Sequence, residues 1–280
     1  MKAVACFVAV CALLAAPAAS APPRVPELAH VVIVVFENKE TGRVLGSRSA
    51  PTFNAYARRY VNMTRYYGVT HPSLPNYLAL VSGSTQGITS DCTDCIVDAA
   101  SLADSLESAG RTWKTYAEGL PSPGFTGADS GRYAKKHNPF LYFGSVAADP
   151  ARRARVVPLA QLSADLRAGT LPDFALVVPD LCHSMHDCSV SVGDAWLRRI
   201  TPPLLKLKRS VVFVLFDEGL TKVGGGGHVA ALALGTAVRR GVKTRALMSH
   251  YSVLRTIEES WRLPLLGHSA HVPPITSIWR

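Results

Sequence analysis

The stretch His30-Val31-Val32-Ile33-Val34-Val35-Phe36 carries no polar side chain after its first residue and stops at Glu37-Asn38. Continuous rather than alternating hydrophobicity in so short a run reads as a strand buried on both faces, the state of a strand inside a parallel sheet covered by helices. Phe174 to Val178, Ser210 to Phe216 and Val229 to Leu234 repeat the pattern. Between these runs, apolar spacing predicts helices over Pro51 to Tyr60, Leu74 to Val81, Ser101 to Ala109, Leu159 to Ala168, Gly193 to Ile200 and Tyr251 to Trp261, with Gly110 and Gly169 as stops. The alternation predicts an α/β fold: a mostly parallel central sheet flanked by helices on both faces. Pro121 to Gly131 reads as a surface loop. Gly224-Gly225-Gly226-Gly227 reads as a flexible one, because it lacks the Gly-Lys-Ser/Thr ending of a phosphate loop and stands before a strand rather than a helix.

The chain has 280 residues, 48% hydrophobic and 18% charged, which suits one large domain with a substantial core. Met1-Lys2, the apolar run Ala3 to Ala16 and the small residues ending at Ala21 have the form of a secretory signal, and the run falls short of the ~20 residues that a bilayer span needs. The expected organisation is a signal over residues 1–21, then a single catalytic domain over residues 22–280 with no transmembrane span, destined for an extracellular or periplasmic compartment. Removing the signal leaves Cys92, Cys95, Cys182 and Cys188, an even set suited to disulfides in such a compartment. Four cysteines admit three pairings; the expectation adopted is the local pair Cys92–Cys95 with Cys182–Cys188. The formal net charge of +10 favours anionic partners, phosphate esters and anionic lipid headgroups among them. Specific nucleic-acid binding is not expected, since Arg152-Arg153-Ala154-Arg155 and Lys206-Leu207-Lys208-Arg209 are short and free of aromatics.

Three of the strands end in candidate ligands: Glu37-Asn38, Asp180 and Asp217-Glu218. Sites in open parallel sheets lie beyond the carboxyl ends of the strands, so these groups should converge. Crowded carboxylates repel unless a cation neutralises them, and hard oxygen donors suit Mg, Ca, Mn or Zn. Ser73, in Thr70-His71-Pro72-Ser73-Leu74-Pro75-Asn76-Tyr77, precedes an apolar helical stretch ending at Gly83. A serine there is first of all a common helix cap; the competing reading is a nucleophile held where free amides and the helix dipole favour a phosphoryl group.

The segment Thr70 to Gly83 resembles the nucleophile motif of the alkaline phosphatase superfamily, and within it the bacterial acid phosphatase and phospholipase C family of phosphoesterases. Val35 to Lys39, Lys136-His-Asn-Pro-Phe140, Pro179 to Cys188, Phe216 to Gly219 and the helix from His250 match that family in order. The resemblance implies an alkaline-phosphatase-like fold and hydrolysis of phosphate esters. It implies that Glu37, Asn38, Asp217 and Glu218 hold a divalent metal touching the Ser73 oxygen, and that Asn76 contacts a phosphoryl oxygen. Asp180, His186 and His228 are the residues that a second metal would use. With one metal, His186 and His137 are phosphate contacts or the general acid, the assignment adopted being His186 as catalytic and His137 and His183 as substrate-binding. The alternatives are a phospholipase C-type diesterase, a sulfatase, disfavoured by Tyr77 where the signature needs Arg, and a non-catalytic anion-binding protein.

Overall fold

The computed structural model describes residues 1–3 and 24–280, so the expected signal over residues 1–21 lies almost wholly outside the described residues. The four apolar runs become strands. In chain order the central sheet contains β1 (His30–Phe36), β2 (Val61–Met63), β3 (Trp113–Ala117), β4 (Val156–Pro158), β5 (Phe174–Val178), β6 (Ser210–Phe216), β7 (Ala231–Leu234) and β8 (Val242–Thr244). Their spatial order is β8-β2-β7-β6-β1-β5-β3-β4. β1 lies at the centre, parallel to β5 on one side and β6 on the other, with every residue from Val31 onward buried.

One strand departs from the parallel expectation. β7 runs antiparallel to both β6 and β2 and starts at Ala231 rather than Val229. A parallel return needs a crossover of a dozen or more residues, usually a helix. Residues 217–230 form no helix, so the chain doubles back. Val229 is drawn off the strand by its amide, which donates to the Tyr66 carbonyl at 3.0 Å.

The helices relevant here are α1 (Pro51–Arg59), α2 (Ser73–Ser82), α3 (Leu102–Ser108), α4 (Ala160–Ala168), α5 (Val190–Leu204) and α6 (His250–Trp261). α1 begins with Pro51, which pre-sets the helical φ, and its first free amides, those of Thr52 and Phe53, donate to the buried Asp194 carboxylate of α5 at 2.9 and 3.0 Å. α2 is apolar around most of its circumference, and all of its residues are buried. It packs against α6 and closes on Gly83 in the left-handed conformation. α4 stops in the same way at Gly169. Every strand, helix and core residue among the described residues lies within 24–280, the core beginning at Val25. Among the described residues no helix is long and apolar enough to cross a membrane.

The two local disulfides, Cys92–Cys95 and Cys182–Cys188, are formed. The Gly224–Gly227 run is not a free loop. Gly226 donates to the Gly68 carbonyl at 3.0 Å and accepts from Gly219 at 2.7 Å, and a Cβ at Gly226 would stand 2.6 Å from the Thr70 carbonyl oxygen. Glycine here permits two backbone segments to touch.

On α6, Glu258 is fully buried and accepts from the Leu266 amide at 2.9 Å and the Ser269 hydroxyl at 2.6 Å. Burial raises its pKa from 4.5 to about 7, with the two hydrogen bonds opposing. Between those values the folded chain holds a proton that the unfolded chain releases. This group's contribution to stability is therefore complete below pH 4.5 and is lost as pH rises towards 7. Glu258→Gln should flatten that part of the stability profile, which thermal midpoints of both proteins across this range will check.

Candidate active site

Parallel register builds the site. Phe36 pairs with Phe216 at the ends of β1 and β6, so the next residues, Glu37 and Asp217, emerge side by side. The Asp217 amide donates to the Phe36 carbonyl at 3.0 Å. Asn38 takes φ 53°, a left-handed conformation that Asn tolerates better than most residues, and its amide turns back to donate to Asp217 Oδ1 at 3.1 Å. The Glu218 amide donates to the same oxygen at 2.6 Å. Asp217 Oδ2 is buried without a hydrogen-bond partner among the described residues.

Ser73, the first residue of α2, is 2% exposed, and its Oγ donates to Glu37 Oε2 at 3.0 Å. The other Glu37 oxygen accepts from the Tyr77 hydroxyl, one helical turn further on. His137 Nε2 lies 3.3 Å from that oxygen without hydrogen-bond geometry, and its ring stacks on Tyr77. Asn76 braces the loop before the helix: its oxygen accepts from the Val69 and Thr70 amides at 2.8 and 3.1 Å, and its amide group reaches the Thr70 carbonyl at 2.8 Å and Glu218 Oε2 at 3.2 Å. Contact with a phosphoryl oxygen would take the place of one of these.

Burial opposes the charge on Glu37, but the neighbouring His137, with the Tyr77 hydrogen bond, brings its pKa down to about 2. Burial and the charges of Glu37 and Glu218 push Asp217 well above the ordinary carboxylate range. Burial and the charge of Glu37 raise Glu218 to about 8. By itself this trio cannot hold all its negative charge at neutral pH. Hard oxygens, crowded acidic groups and the orphaned Asp217 Oδ2 suit a divalent cation, for which Glu37, Asn38, Asp217, Glu218 and the Ser73 oxygen are the candidate ligands, although the Glu37, Asp217 and Glu218 oxygens do not all lie within 4.8 Å of one another.

The residues proposed for a second ion do not assemble. His228 Nε2 meets the Thr64 carbonyl at 2.9 Å, and its ring stacks on Tyr67. His186 Nδ1 meets Asp187 at 2.6 Å, with its ring centroid 6.2 Å from that of His137. Asp180 joins Glu118 and His183 instead. This is the only trio among the described residues whose ligand atoms lie within 4.8 Å of one another. His183 Nδ1 is 2.9 Å from Glu118, and its ring stacks on Trp196.

Several contributors escaped the sequence reading. His71 lies inside the quoted serine segment, yet its role depends on the fold: Nδ1 is 2.9 Å from Glu218 and Nε2 is 2.9 Å from the Thr221 carbonyl. Asp91, beside the Cys92–Cys95 bridge, accepts from the Leu74 amide at 2.9 Å and pairs with Lys136 at 2.8 Å, taking one of the helix amides expected to be free. His250 Nε2 meets the Asp217 carbonyl at 2.6 Å and Nδ1 meets the Tyr66 hydroxyl at 2.9 Å; burial lowers its pKa to about 4, so it buttresses Asp217 as a neutral ring.

A family model described as the phosphoesterase family matches residues 45–264, beginning just after Glu37 and Asn38. The chain belongs to that family. Phosphoesterases are hydrolases of phosphoric ester bonds, and that is the class of this chain. A phosphatidylinositol-3-phosphatase of Mycobacterium tuberculosis is 36% identical over 262 residues, covering 91% of this chain and 84% of that protein. An acid phosphatase of Aspergillus fumigatus is 30% identical over 226 residues, 75% of this chain and 50% of that protein. This phosphoesterase therefore spans about half the length of that fungal relative. An alkaline phosphatase superfamily protein from Vibrio parahaemolyticus superposes with TM-score 0.59 at 14% identity, over 90% of this chain and 72% of that one, and shows the same fold.

Tyr77→Phe removes one donor from a buried carboxylate and should cost about 1.5–3 kcal/mol, the range for hydrogen bonds to charged groups. Urea unfolding of the metal-free proteins will measure it.

Proposed function

We propose that this phosphoesterase is an exported, metal-dependent phosphomonoesterase of acid-phosphatase type, in which Ser73 forms a phosphoserine intermediate. The observation that carries the reading is the Ser73 hydroxyl, at the start of a buried helix, held 3.0 Å from Glu37 in a nest of acidic groups. A divalent cation, when bound, supplies positive charge that lowers the basicity of the serine oxygen and neutralises the phosphoryl group.

The chain's own groups do the rest. Glu37 fixes the Ser73 rotamer by accepting its proton in a hydrogen bond, and Tyr77 fixes Glu37 in turn. The Ser73 hydroxyl gives up its proton to solvent, its oxygen forms the bond to phosphorus, and the bond from phosphorus to the leaving oxygen breaks. His186, its Nδ1 held by Asp187, can carry a proton on Nε2 and deliver it to that oxygen. Water then releases phosphate from Ser73. Lys136, whose pKa is raised through its bond to Asp91 despite partial burial, keeps a positive charge near Glu37 and Asp217.

Monoester preference is supported by the relatives' names, a phosphatidylinositol-3-phosphatase and acid phosphatases, which makes a small phosphate ester, a phosphoinositide headgroup included, the substrate class. Export is supported by the apolar N-terminal run and by the two disulfides, bonds that persist in oxidising compartments.

Aryl phosphate turnover should vanish on chelation, return on adding a divalent metal, and exceed turnover of the corresponding diester. Ser73→Ala should lower it by a factor on the order of 10³ or more with the fold intact, and acid quenching of the wild type should trap phosphate on Ser73. Retention of turnover by Ser73→Ala would remove the serine from the mechanism.

A further inference from the structure

Leu220, Val223 and Leu247 are 65%, 57% and 63% exposed. Beyond Met1, the other strongly exposed large apolar residues among those described are Ile96 and Leu265, so three of five lie on two loops, Leu220 lining a neighbouring cavity with Lys39 and Arg43. One loop leaves Glu218 and carries Leu220 and Val223; its Thr221 carbonyl faces His71. The other leads into α6. Val223 and Leu247 line a single groove of about 690 Å³ with Tyr67, Met248, Val272 and Pro273. Scattered surface leucines need no explanation, but apolar side chains gathered around one groove do.

The first loop is pinned, so its tips cannot fold back into the core. Glu40 Oε1 accepts from the Leu220 amide at 3.2 Å, the Thr221 amide at 3.0 Å and the Thr221 hydroxyl at 2.8 Å. Exposed cations of one sign surround the tips. Lys222 adjoins Val223, Lys243 and Arg245 precede Leu247, and the Arg65 carbonyl accepts from the Met248 amide at 3.0 Å. None of the four pairs with a carboxylate among the described residues. The acidic groups on these loops or against them are already engaged, Glu40 with the loop and Glu218 with His71 and Asn76.

We propose that these two loops dock onto an anionic lipid bilayer. Leu220, Val223 and Leu247 enter the boundary between headgroups and acyl chains, and Arg65, Lys222, Lys243 and Arg245 meet the anionic headgroups, as basic, apolar-tipped interfacial segments do. Charge selects the lipid surface over a second copy of the chain, since a two-fold interface here would set the same cations against each other.

The test uses the chain from Arg24, which contains the whole described fold and lacks the N-terminal apolar run. It is sedimented with vesicles of phosphatidylcholine alone and with vesicles containing roughly one third phosphatidylserine. Wild type should pellet with the mixed vesicles. Leu220→Ser/Val223→Ser/Leu247→Ser and Lys222→Glu/Arg245→Glu should each bind roughly tenfold less or weaker still, and Leu247→Ser alone should bind measurably less. Circular dichroism and aryl phosphate turnover should stay at wild-type levels. The proposal is overturned if wild type stays in the supernatant, or if the triple variant pellets as wild type does, which would assign binding to the net charge. A dimer that the triple variant abolishes would give the tips to a second copy.

Discussion

Two buried carboxyl groups, Glu37 and Asp217, stand side by side because two parallel strands end in register. Everything around them answers to the cost of that placement. Glu37 receives hydrogen bonds from Ser73 and Tyr77, Asp217 receives two backbone amides, and the remaining Asp217 oxygen has no partner among the described residues. Like charges in a low-dielectric interior are tolerated only with protons or a cation between them, and the same demand makes the place suitable for a phosphoryl group's metal.

The surrounding elements hold this arrangement in several independent ways. α2 supplies Ser73, Asn76 and Tyr77 from a single buried turn, and α6 supplies His250 to the Asp217 carbonyl. The segment Pro179 to Cys188 is bound to the end of β1 through the Glu37 amide, which donates to the Ser184 carbonyl at 2.9 Å, and through Lys39, which donates to the Met185 carbonyl at 2.8 Å. These attachments bring His186 towards His137 although the two are 49 residues apart in sequence.

The runs buried on both faces, β1, β5 and β6, were legible because they are short, continuous and rich in β-branched residues, as strands inside a covered sheet are. Their polar endings pointed to Glu37, Asp217 and Glu218 for the same reason. β3 and β4 were not legible: Trp113-Lys-Thr-Tyr-Ala117 mixes polar and apolar residues, and Val156 to Pro158 is too short to show a period. The reversal of β7 follows from the connection before it, not from its own residues. His71, Asp91 and Glu118 were hidden because their contacts join loops far apart in sequence, and no local pattern encodes such a meeting. His228, between glycines and a strand, is engaged by Thr64 and Tyr67, contacts that local sequence does not encode either.

The two disulfides cross-link loops rather than layers of the core. One closes the segment beside Asp91, which holds the Leu74 amide in the first turn of α2, and the other closes the segment carrying His183 and His186. The sheet beneath is sustained by apolar burial that owes nothing to sulfur chemistry. Reducing the two bridges would therefore remove cross-links from the loops around the site and none from the sheet.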